Sequence, residues 1–136
     1  MKNILEYLEA AAAVFPEKTG FTDPDRDAEF AQVMDRSRKA ASSMKDIPAN
    51  SPVAIVIDRS VRCIEAMFAA VYAGCFYTVI DVHSPVSRIS DIFSKLRPAA
   101  VMTDSSCLSL TGEVLEGCSM QDLTVIVYED AVSCPE

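Results

Sequence analysis

Residues Val53-Ala54-Ile55-Val56-Ile57 are five consecutive apolar positions without a polar interruption. A run with no alternation cannot lie in a sheet that has one wet face; it suits a parallel strand covered on both faces. A parallel strand reaches its neighbour only through a crossover of a dozen or more residues, usually a helix. The sequence supplies one over residues 61–72, apolar at Ile64, Met67, Phe68 and Val71. It ends at Ala73-Gly74, where glycine is the residue expected in a left-handed C-terminal cap. The pattern then repeats. Residues 76–80 predict a strand, 87–96 a helix stopped by Pro98, 99–103 a strand, 113–115 a short helical segment, and 123–128 a last strand. Strands alternating with helices predict right-handed crossovers, so the expected class is α/β, with an open, mostly parallel sheet flanked by helices.

The first 50 residues read differently, as a helical and hairpin lead-in to the sheet core of residues 51–130. Apolar residues at Ile4, Leu5, Leu8, Ala12 and Phe15 have helical spacing. Asn3 with Glu6 three residues on resembles a capping box, and Pro16 stops the helix. Residues 18–22 predict a short strand, followed by the turn-rich acidic patch Asp23-Pro24-Asp25-Arg26-Asp27. A second helix is expected over 30–44, with Phe30, Val33, Met34, Ser37, Ala41 and Met44 inward. The proline-containing stretch at 47–52 ends it. One domain of 1–136 is the expected organisation, since 136 residues fall in the commonest size range for a compact unit.

Charge narrows the function. A formal net charge of −8 disfavours a nucleic-acid partner, because phosphate backbones attract basic faces. It equally disfavours an anionic membrane surface. Glu6 and Glu9 interrupt the N-terminal apolar stretch, so it is neither a signal-peptide core nor a membrane span. Cys63, Cys75, Cys107, Cys118 and Cys134 are odd in number and scattered, with no C-x-x-C pair and His83 as the one histidine. They read as reduced thiols in a cytoplasmic protein, mostly small core residues, and no metal is expected.

Chemistry-bearing motifs are sparse. Gly20, Gly74, Gly112 and Gly117 are the only glycines, and none forms a dinucleotide or Walker phosphate-binding pattern. The first long strand runs into Asp58-Arg59-Ser60 instead of a glycine loop. His83 with Asp81 and Ser84 superficially suggests a nucleophilic triad. Residues so close along an extended segment point apart, however, whereas a triad is assembled from separate segments. A loop histidine is the stronger reading. Asp58 and Asp81 each end a strand and are expected to cap the following turn or helix. Cys75 has no cationic neighbour in sequence and is expected to be a buried, inert thiol. Met67, Phe68 and Tyr72 are expected in the core.

The segment Val71-Tyr72-Ala73-Gly74-Cys75-Phe76-Tyr77-Thr78-Val79-Ile80-Asp81 resembles an early motif of adenylate-forming (AMP-binding) ligases, a leucine or valine followed by x-A-G-x-x-Y-x-P-[IL]-D. Pro85-Val86-Ser87-Arg88-Ile89 looks like the P-x-x-R-[IL] that follows it in that superfamily. Pro52-Val53-Ala54-Ile55 before Arg59-Ser60 resembles its first sheet strand, and Phe15-Pro16-Glu17-Lys18-Thr19 the end of its opening helix. Two departures stand out. Val79 occupies the usual proline position, and the T-Y-x-E-L segment appears as Glu29-Phe30-Ala31-Gln32-Val33. Residues 77–84 are closest in flavour to D-alanine–carrier protein ligases and to adenylation domains of peptide synthetases.

The resemblance implies a subdomain of the large N-terminal domain of a ligase that uses ATP and Mg2+. Such a ligase converts a carboxylate to an acyl-adenylate and then transfers it to a thiol, either coenzyme A or the phosphopantetheine of a carrier protein. Catalysis in that superfamily rests on a Ser/Thr/Gly-rich phosphate loop ending in lysine, an acid that holds the ribose, an arginine and a later lysine. None of these motifs occurs in this sequence. No catalytic, cofactor-binding or metal-binding residue is therefore assigned, and the chain is expected to act as scaffold. The expected partner is the rest of a parent ligase, with self-association of the isolated chain as a further expectation. Two alternatives remain at this point: a stand-alone α/β interaction module, and a flavodoxin-like binder whose only phosphate-loop candidate is Asp58-Arg59-Ser60-Val61-Arg62.

Overall fold

The computed structural model describes residues 4–24, 27–118 and 123–133. Four parallel strands form the main sheet: β3 (Pro52–Val56), β4 (Phe76–Val79), β5 (Ala100–Thr103) and β6 (Thr124–Val127), in spatial order β4-β3-β5-β6. They follow α1 (Ile4–Val14), the antiparallel pair β1 (Thr19–Thr22) and β2 (Asp27–Glu29), and α2 (Phe30–Ser42). Crossovers are made by α3 (Val61–Tyr72), α4 (Val86–Leu96) and α5 (Leu108–Cys118), and α6 (Tyr128–Ala131) follows β6. The expected α/β class and parallel sheet are present. No helix among the described residues is long and apolar enough to cross a membrane.

The unbroken apolar run does what its composition requires. Val53, Ile55 and Ile57 join a core with α2, α3 and α6 on one face. Ala54 and Val56 join Ile89 and Phe93 of α4 and Val114 of α5 on the other. All five residues are at most 1% exposed. Small residues let α3 approach the sheet: Cys63, Ala66, Ala69 and Ala70 face it. Phe68, Ile64 and Tyr72 turn the other way, against Leu8, Phe21 and Val33 of the lead-in. That division explains why α3 is apolar nearly all round.

Helix ends follow local chemistry. At the end of α3, Gly74 has φ +78, Gly74 N–H donates to Val71 O at 3.0 Å, and Cys75 N–H donates to Ala70 O at 2.9 Å. These are the two bonds of a Schellman cap. Arg97 closes α4 in the left-handed region at φ 49, because a residue before proline (here Pro98) cannot continue the helix. At the start of α2, Glu29 N–H donates to Gln32 Oε1 at 2.9 Å. The altered Glu29-to-Val33 segment therefore keeps a capping box with other side chains.

The boundaries depart from the sequence reading in several places. The end of the acidic patch, from Asp27, is strand β2, because it pairs with β1 over the register Thr22↔Asp27 and Phe21↔Ala28. The segment read as 113–115 is one stretch of α5, which tolerates Gly112 because neighbouring turns and Val114 hold it on α4. α2 stops at Ser42, although Met44 is fully buried as expected. α6 carries no sequence signal of its own. The Asn3 cap and Cys134 lie outside the described residues.

Candidate functional site

Open parallel sheets place ligands outside the carboxyl ends of their strands. Here that rim is formed by the segments after β3, β4, β5 and β6, and it is held by carboxylates. The ends of β3 and β5 flank a cavity of about 500 Å3 lined by Asp23, Asp58, Arg59, Ser60, Arg62, Asp104 and Ser106.

Side chains take two of the backbone N–H groups at the α3 N-terminus. Ser60 caps it, accepting from Cys63 N–H at 3.2 Å. Asp23, reaching over from the lead-in, accepts from Val61 N–H at 2.7 Å. Asp58 was expected to cap here; instead its Oδ1 accepts from the adjacent Arg59 N–H at 2.8 Å.

Arg62 projects from the first turn of α3 into the space between β5 and β6. Its Nη1 lies 3.5 Å from Asp104 Oδ2 and 3.3 Å from Glu129 Oε2, and its guanidinium sits 5.4 Å from the Tyr128 ring centroid. Glu129 in turn accepts from the Ser105 backbone N–H at 3.1 Å and from its hydroxyl. Asp104 is buried and accepts from Cys107 N–H at 3.0 Å, capping the turn into α5. Partial burial works to raise the Glu129 pKa, but the Ser105 hydrogen bonds and the Arg62 charge outweigh it and hold the group below its ordinary value. Burial, reinforced by Asp58 and Asp104, pushes the Cys63 thiol up. Burial foremost also raises Cys107. Burial first, with the rim carboxylates adding to it, thus keeps these two thiols protonated.

His83 is exposed, with Nε2 3.5 Å from Asp58 Oδ1. Asp81 accepts from His83 N–H at 3.0 Å and so closes its own turn, as expected of a strand-ending aspartate. The structure pairs His83 with Asp58 across two strand ends, and no Asp81–His83–Ser84 triad forms. Cys75 is buried, its thiol directed at Pro48 O and Ala73 O. Of the expected core trio, Phe68 is buried while Met67 and Tyr72 are half-buried.

Over residues 8–136 the sequence matches the AMP-binding enzyme family. The chain belongs to that family. A D-alanine--D-alanyl carrier protein ligase of Staphylococcus aureus is 32% identical over 116 residues, covering 84% of this chain and 24% of that protein. The chain thus spans about a quarter of the length of the curated relatives it matches. Among solved structures, a benzoate CoA ligase from Burkholderia xenovorans superposes with a TM-score of 0.86 at 18% identity, covering 99% of this chain and 29% of that one. The N-terminal subdomain of Klebsiella oxytoca NpsA gives 0.78 at 14% identity, covering 100% and 33%. The fold is that of the N-terminal part of these AMP-binding enzymes.

Within that family frame, the rim does not fit ATP phosphates. Both N–H groups named at the α3 terminus are taken by side chains, and Arg62 is shared between two carboxylates. Among the described residues no group of three or more His, Cys, Asp or Glu is arranged to hold a metal ion. One feature of the site lacked any sequence reading. Glu65, fully buried on α3, accepts from Tyr128 OH at 3.2 Å and lies 3.7 Å from Arg36 Nη1. Its signal was a lone acid on the alanine face of an apolar helix.

Proposed function

We propose that residues 1–136 form one scaffold subdomain of an ATP-dependent, adenylate-forming ligase, with 51–130 carrying the sheet and 1–50 its lead-in. The observation that carries this reading is a family match spanning 8–136 on a chain about a quarter as long as its relatives. The parent reaction joins a carboxylate to the α-phosphorus of ATP, releasing pyrophosphate, and passes the acyl group to a thiol. ATP and Mg2+ belong to that full-length reaction. D-Alanine is the favoured acid and a carrier-protein phosphopantetheine the favoured acceptor, by analogy with the 32% identical relatives. Cytoplasm, where ATP and reduced thiols coexist, is the proposed location.

The chain contributes no catalytic residue in this reading. The acidic rim supports it, since its carboxylates repel triphosphate and Arg62 is shared between Asp104 and Glu129. Arg62 has a structural role: it joins α3 to the ends of β5 and β6. The test is a chimera in which residues 8–136 replace the matching segment of the Staphylococcus aureus ligase. D-Alanine-dependent exchange of pyrophosphate into ATP is expected to persist. A soluble, cooperatively folding chimera without exchange would contradict the scaffold assignment.

A further inference from the structure

We draw no further inference here: the strongest candidate, the apolar cavity of about 490 Å3 between the end of β1, α3 and β4, where Ile64, Met67 and Val79 lie beside Arg59, carries nothing, because no feature of the structure shows whether a small ligand, a further segment or a partner covers it.

Discussion

The two faces of the sheet are closed by different means. Against α4 and α5, the core is apolar and aromatic, centred on Phe93 and Ile89, and its polar groups are hydroxyls satisfied nearby. Thr103 Oγ1 donates to Val56 O at 2.9 Å, and Thr111 Oγ1 donates to Thr103 Oγ1 at 3.0 Å. Against α2, α3 and α6, small residues dominate and a fully buried carboxylate, Glu65, joins three helices through Arg36 and Tyr128. One face therefore depends on filled volume, and the other on a polar contact set between helices that pack closely. Volume tolerates graded change, whereas a buried carboxylate fails when either partner is lost.

The largest effect is expected on the aromatic face. Phe93→Ala empties the space between α4 and β5 and should destabilise by about 3–5 kcal/mol in chemical denaturation. A loss near zero would mean α4 does not rest on the sheet. On the other face, Glu65→Ala removes the buried contacts to Tyr128 and Arg36 and should cost about 2–3 kcal/mol, with Glu65→Gln recovering part of it. Full stability in Glu65→Ala would erase the contrast between the faces.

Smaller effects distinguish Gly74 from Gly112. Gly74→Ala places a Cβ at φ +78 and should cost about 1 kcal/mol in backbone strain. The nearest atom, Ala49 Cβ, would lie 3.6 Å away, so crowding adds nothing. Gly112 lies inside α5 with open space around it, and Gly112→Ala should stabilise by about 0.5–1 kcal/mol. Equal melting shifts of the same sign would contradict both placements.

The smallest effect concerns the rim. Glu129 titrates below its ordinary value in the folded state, so its contribution is present above the unfolded carboxylate pKa and is lost as pH falls through the folded value. Arg62→Gln should flatten that acid limb in part, by slightly lowering stability at neutral and alkaline pH while the two profiles converge at low pH. An unaltered acid limb would show that the Arg62–Glu129 pair carries no linkage.

The elements that the sequence revealed are those in which composition is decisive. Residues 53–57 could only be a doubly covered strand, and Gly74 could only close a helix before another strand began. Features built from distant partners stayed hidden. Asp23 on the α3 terminus is 38 positions from its donor Val61, and Tyr128 is 63 from Glu65. β2 was masked by turn-forming residues whose strand character comes from pairing with β1. The sheet-facing alanines of α3 were overlooked because larger residues on its opposite side dominate the helical pattern. The rim showed only as the absence of a glycine loop; its closed ion network required coordinates.

This AMP-binding chain is proposed to be scaffold whose acidic rim performs no adenylation. Carboxylate-dependent exchange of labelled pyrophosphate into ATP by the isolated 136-residue chain measures this directly. With D-alanine, other amino acids, aryl acids and fatty acids in turn, exchange is predicted to equal the protein-free blank. Turnover above that blank with any acid, abolished by Arg62→Gln, would show that the rim is an active centre and contradict the claim.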